Sequence, residues 1–157
     1  MSTTKKILTL CMLRDGDKLL LGMKKRGFGA GLWNGFGGKV EMGETIEEAA
    51  RRECKEEAGI DIHGLSKRGV MTFIFENGSP ALEVQVFAAE GFTGTPVETE
   101  EMRPQWFPID ALPFENMWAD DPHWIPLFLA GKNFQGEFLF RDEYTLVSHS
   151  LTEREIA

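Results

Sequence analysis

Three carboxylates stand close together in one short stretch: Glu53, Glu56 and Glu57, within GKVEMGETIEEAARRECKEEAGI at residues 38–60. Turned toward a protein body, such groups repel one another and are costly to desolvate. A hard divalent cation, which takes carboxylate and phosphate oxygens, removes that cost. The same stretch states how they would be held. Thr45 followed by Glu48 is a capping box, and Gly59 after Ala58 is a stop signal. Good helix formers lie between them, so the spacing predicts a helix over 46–58. At about 100° per residue, Ile46, Ala49, Ala50 and Cys54 share the buried side while Glu48, Arg51, Arg52 and Lys55 face water. Glu53 and Glu57 fall within the apolar stripe and Glu56 at its edge. A solvated acidic face, with Arg52 and Glu56 as an i,i+4 pair, explains the same residues without a metal. Periodicity alone leaves the two readings level.

The frame around this helix is mostly strands. Ile7–Leu13 and Leu19–Lys25 are separated by the turn Arg14-Asp15-Gly16-Asp17. Residues 27–39, GFGAGLWNGFGGK, are too rich in glycine for a regular element and predict a loop that approaches something closely. It is not a P-loop, because Val40 follows Gly38-Lys39 where Ser or Thr is needed. Arg68–Glu76 alternates, with Met71, Phe73 and Phe75 on one face, and turns through Asn77-Gly78 into Leu82–Ala89. A loop ending in Glu98, Glu100 and Glu101 leads to a short strand, Gln105–Ile109, hemmed by Pro104 and Pro108. Asp121 as N-cap with Pro122 after it predicts a second helix to about Ala130. Phe134–Phe140 and Tyr144–Ser150 close the chain. Mixed strands with two helices are α+β.

The chain has 157 residues, 42% of them hydrophobic, which suits a single domain over 1–157 with its own core. A net charge of −8 argues against nucleic acid polymers, which are held by basic patches. The two cysteines, Cys11 and Cys54, form no disulfide framework and suit a reducing compartment. The N-terminal run reads as a strand, not a leader. No window approaches the roughly 18 apolar residues of a membrane span. A cytoplasmic protein fits these bounds, with nuclear or mitochondrial pools also open to it. A monomer is the expectation.

Gly38, five residues, Glu44, seven residues, then Arg52-Glu53-Cys54-Lys55-Glu56-Glu57-Ala58-Gly59-Ile60: this pattern resembles the Nudix box, with Cys54 where an aliphatic residue is usual. The resemblance implies an α/β/α sandwich, with a mixed sheet and two main helices. It implies hydrolysis of a nucleoside diphosphate linkage with Mg²⁺, or Mn²⁺ in its place. It gives Gly37, Glu53, Glu56, Glu57 and Glu101 as metal ligands and the catalytic centre, with Glu44 and Arg52 orienting Glu53. Residues 19–40, 94–107 and 113–124 further resemble the animal branch of MutT homologues. That branch converts oxidised purine nucleoside triphosphates, such as 8-oxo-dGTP and 2-hydroxy-dATP, to monophosphate and pyrophosphate.

By that resemblance the base is held by Thr9, Phe28, Asn34, Phe73, Phe75, Leu82, Trp118, Asp120 and Asp121, with Lys24 nearby. The chemistry of these residues agrees. Trp118 and the phenylalanines offer stacking surface, and Asn34 offers donor and acceptor to a base edge. Asp120 and Asp121 form a like-charged pair in which one pKa tends to rise. Plainer readings stand beside each. Phe73 and Phe75 alternate as in any half-buried strand, Asn34-Gly35 is a common turn pair, and Trp118 could plug the core. Leu82 replaces the branch's methionine, Ala119 its proline, and Leu32 its basic residue. A Nudix hydrolase of capped RNA ends or sugar nucleotides is the rival activity, and a nucleotide-binding module without catalysis the rival class.

Overall fold

The structure is a computed structural model and describes residues 5–142 and 144–154. In chain order its strands are β1 (Lys6–Asp15), β2 (Lys18–Lys24), β3 (Trp33–Asn34), β4 (Asp61–Phe75), β5 (Leu82–Thr93), β6 (Met102–Pro108), β7 (Phe134–Asp142) and β8 (Thr145–Glu153). Its helices are α1 (Ile46–Ala58), between β3 and β4, and α2 (Asp121–Leu129), between β6 and β7.

One mixed sheet runs β3-β2-β1-β5-β4-β7-β8, with β6 paired to β2. β1 is its hub. Lys6–Met12 pairs parallel with β5, and Leu13–Asp15 pairs antiparallel with β2 across the hairpin. Side chains alternate faces along a strand, so β1 and β2 feed two cores. Leu10, Met12, Leu19 and Leu21 enter one, which α2 covers with Trp124, Ile125 and Phe128. Cys11, Leu13 and Leu20 enter the other, which α1 covers with Cys54 and Ala58. This is the expected helix–sheet–helix sandwich.

α1 has the predicted limits. Thr45 Oγ1 accepts from the Glu48 N–H at 3.1 Å, and Glu48 Oε1 accepts from the Thr45 N–H at 2.8 Å. Gly59 ends the helix in the left-handed region, φ 72, which glycine enters without steric cost.

Four expectations need correction. The glycine-rich segment is not wholly irregular: it contains β3, and residues 36–39 lie antiparallel along β1, with Phe36 bridging Cys11 and Lys39 bridging Leu8. β4 begins at Asp61 and not at Arg68. Register shifts at Ile62–Gly64 and Lys67–Gly69 interrupt its alternation, so the pattern is legible only beyond them. β6 takes in both of its prolines. Among the described residues it pairs with β2 alone, and an edge strand tolerates residues that cannot donate. Asp121 is the first residue of α2, and the N-cap is Asp120, which makes no side-chain capping bond. Both aspartates are engaged elsewhere, as described next.

Candidate active site

Gly37 and Gly38 are wedged between β1 and α1. A Cβ on Gly37 would stand 1.8 Å from the Thr9 carbonyl oxygen, and one on Gly38 would stand 2.7 Å from the Glu53 carboxylate. Only residues without a side chain let this backbone pass. The Gly37 N–H donates to Glu57 Oε1 at 2.9 Å. Glu57 itself is buried, as its place in the apolar stripe predicts.

Arg52 does not face water as helical periodicity suggests. Its side chain is 23% exposed and folds back along α1. Nε and Nη2 donate to the two Glu44 oxygens at 2.9 and 2.7 Å, and Nη2 also donates to the Lys39 carbonyl at 3.1 Å. Nη1 donates to Glu53 Oε1 at 2.8 Å and to Glu56 Oε2 at 3.2 Å. A long stem ending in a planar fork reaches partners that a shorter cation could not. These bonds hold the Glu44 carboxyl down to about 2.

The carboxylates behind Arg52 are held in the opposite sense. Burial pushes Glu53 above its ordinary range, and the charges of Glu56 and Glu101 add to the push. Burial takes Glu57 up to about 8, helped by Glu53 and Glu101 and offset by the nearby Lys24. Glu53 and Glu57 therefore both sit in the field of neighbouring acids. Among the described residues no three acidic, His or Cys groups stand close enough to form a ready cage; Arg52 occupies Glu53 and Glu56, and Arg26 lies 3.9 Å from Glu101. The donor set nonetheless suits a hard divalent cation. It is all oxygen, two of its carboxyls resist ionisation where they stand, and the glycine pair leaves its backbone open to close approach.

A cavity of about 160 Å³ begins at this point. Gly37, Gly38 and Glu57 form one part of its wall, and Asn34, Trp118, Asp120 and Asp121 another. Thr9, Lys24, Phe28, Phe73 and Leu82 also line it. Phe75 does not. Its ring lies behind the wall, 6.0 Å from Phe28 and stacked 5.8 Å from Phe140. Glu53, Glu56 and Glu101 are likewise outside the lining. The sequence reading missed Leu8, Leu10, Met71, Val84 and Met102, which make much of the apolar wall. Period two would have found two of them: Val84 follows Leu82 by two, and Met71 precedes Phe73 by two; Leu8 and Leu10 have the opposite parity to Thr9.

Trp118 is both core and wall. It is nearly buried, and Phe28 leans over it with ring centroids 5.0 Å apart. Gly29, at φ +82, passes so close that a Cβ would lie 3.1 Å from the indole. Asn34 Oδ1 accepts from the Gly35 N–H at 2.9 Å, so its amide N–H groups are the part suited to a ligand acceptor. Asp120 and Asp121 are 1% and 2% exposed. The Trp124 indole N–H is shared between Asp120 Oδ2 at 2.9 Å and Asp121 Oδ1 at 3.0 Å. Among the described residues, Asp120 Oδ1, Asp121 Oδ2 and Thr9 Oγ1 are buried with no hydrogen-bond partner, which a polar ligand would relieve. Burial raises Asp120 to about 6. It raises Asp121 further, and the charge of Asp120 adds to the rise.

Residues 4–128 match the NUDIX domain. The chain belongs to the Nudix family. Two Nudix relatives, each named oxidized purine nucleoside triphosphate hydrolase, span almost the same length. The Mus musculus protein is 50% identical over 96% of this chain and 97% of its own. The Danio rerio protein is 52% identical over 97% of each. Among solved structures, a MutT protein from Bacillus halodurans superposes with a TM-score of 0.79, is 28% identical, and covers 93% of this chain and 97% of its own. Nudix hydrolases in general use divalent metal ions, in keeping with the donor set described above.

Proposed function

We propose that this chain is a magnesium-dependent pyrophosphohydrolase, one domain over residues 1–157, that converts oxidised purine nucleoside triphosphates to monophosphate and pyrophosphate. The observation that carries the reading is the single cavity whose wall joins the glutamate–glycine wedge to the Asn34–Trp118–Asp120–Asp121 end. One nucleotide can reach both. Two relatives at 50% and 52% identity with the corresponding name support the same substrate class.

Glu53, Glu56, Glu57 and Glu101, with the Gly37 carbonyl, would hold Mg²⁺. The ion would neutralise phosphate charge and supply an activated water. Mn²⁺, with the same taste for oxygen ligands, would substitute. Arg52 orients Glu53 through the pair it makes with Glu44. Lys24, in the wall and close enough to act on Glu57, would place a positive charge beside the phosphates. Trp118 and Phe28 supply the stacking face, and Phe73 and Leu82 the apolar sides. Thr9 Oγ1 and the Asn34 amide read polar edges of the base. Asp121, which keeps its proton longest, donates where an ionised carboxylate could only accept.

The acidic balance weighs against capped RNA as substrate, and the two free thiols suit a cytoplasmic monomer. The deciding experiment is a panel of 8-oxo-dGTP, 2-hydroxy-dATP, dGTP, a capped RNA and a sugar nucleotide, assayed with Mg²⁺ and analysed for products. Preferential cleavage of the oxidised purines to monophosphate and pyrophosphate is expected. Equal rates on dGTP, or faster cleavage of the cap or the sugar nucleotide, would overturn the assignment.

A further inference from the structure

Two histidines lie outside everything assigned above, and they touch. His123 belongs to the first turn of α2, two residues after Asp121. His149 lies on β8 opposite Phe138 of β7. Their ring centroids are 4.0 Å apart, with planes 31° from parallel. His149 stacks in turn on Phe138, at 5.8 Å and 8°. Phe138 meets Phe73 edge-on at 5.7 Å, and Phe73 is a wall of the cavity. A column of four rings thus runs from the exposed pair to the base end of the site. The backbone makes a second connection: the His123 N–H donates to the Asp120 carbonyl at 3.0 Å.

Stacked imidazoles are at ease while one of them is neutral. Two imidazolium rings at this spacing repel. His123 also sits at the end of α2 where the helix dipole disfavours a cation. Burial pushes His123 below the ordinary histidine range, and His149 pushes it the same way. The other charged groups around the pair do not undo this. Glu137 of β7 shares a shallow depression with His149 and is not among the groups that act on His123. Asp120 and Asp121 direct an oxygen each at the Trp124 indole.

We propose that His123 and His149 form a pH-responsive clasp on the base-reading turn, closed while one ring is neutral and released when both are protonated. Closed, the clasp fixes the start of α2 against β8 and so fixes Asp120 and Asp121. Released, it frees that turn and weakens base binding without touching the glutamate end. The two residues are positioning residues and do not meet the substrate. The inference rests on the oxidised-purine reading for the ligand used to test it.

The test uses the full-length wild type and His149→Phe, which keeps a stacked ring but cannot take a proton. Affinity for 8-oxo-dGMP without metal, and imidazole and backbone amide shifts by NMR, are followed from about pH 8 to about pH 5. The His123 midpoint should rise in His149→Phe. Wild-type affinity should fall about fivefold more than that of the variant across the range. Asp120 and Asp121 titrate in both proteins, so their share cancels in the comparison. An unchanged His123 midpoint would overturn the contact, and parallel affinity profiles would overturn its reach to the pocket. Failure of the wild type to bind at neutral pH sinks the substrate reading instead. The clasp then stands if the backbone amides of residues 120–124 shift more with pH in the wild type than in the variant, and falls if they shift alike in both.

Discussion

The Gly37 N–H and the Glu57 carboxylate face each other at 2.9 Å, joining a strand-like segment to the last turn of α1. The bond satisfies one oxygen of a carboxyl that burial and Glu53 have pushed to about 8. The most buried acid of the proposed metal end is therefore anchored by backbone on its own.

Both glycines of the wedge should be intolerant of a methyl group, in different ways. Gly37→Ala drives a Cβ into the Thr9 carbonyl and should lower stability by about 3 kcal/mol, read by urea denaturation. Gly38→Ala meets the Glu53 carboxylate, which can move. It should fold nearly as well as wild type and lose turnover. A Gly38→Ala protein of wild-type kcat would show that Glu53 need not sit where it does.

Glu56→Gln keeps the shape of the side chain and removes its charge. Turnover should drop about 100-fold or more while affinity for 8-oxo-dGMP, measured without metal, changes little. Collapse of that affinity would move Glu56 from the metal end to the base end.

Divalent cation binding should release a proton. Glu57 is largely protonated below its folded value of about 8 and must ionise to act as a ligand. Apparent Mg²⁺ affinity should therefore climb between about pH 6 and about pH 8, and calorimetry in buffers of different ionisation enthalpy should detect the proton. Enthalpies that do not depend on the buffer would refute the linkage.

The metal-free protein should lose stability as pH rises from about 4 to about 8. Asp120, Asp121 and Glu57 all keep protons in the folded state that the unfolded chain has already released. The contribution is complete below the unfolded carboxyl values and disappears as pH passes about 6 for Asp120 and about 8 for Glu57. Each group adds a slope of at most about 1.4 kcal/mol per pH unit. Asp121→Asn should flatten the curve. An equally steep curve in the variant would mean that Asp121 is ionised where it stands.

α1 was legible in full, because a capping box and a C-terminal glycine depend only on neighbours in sequence. Its carboxylates were legible as misplaced charge. Arg52 was misread because helical angle locates a Cβ and says nothing of where a long side chain goes. Asp121 before Pro122 carries the usual sign of an N-cap, but Trp124, one turn along the helix, takes both aspartates inward. That outcome depends on burial, which no local signal reports. Phe73 and Phe75 are indistinguishable by alternation. Their separation into wall and backing depends on Phe28 and Phe140, which come from distant parts of the chain.

The alternation of β1 has a consequence for how such a protein can change over generations. Leu8 and Leu10 belong to the layer that α2 covers, Cys11 and Leu13 to the layer beneath α1. Substitutions at every second residue can remodel one layer while the other keeps its packing, and effects at separate, non-touching sites tend to add. The sheet acts as a partition between two cores, and each can drift while the other keeps its packing.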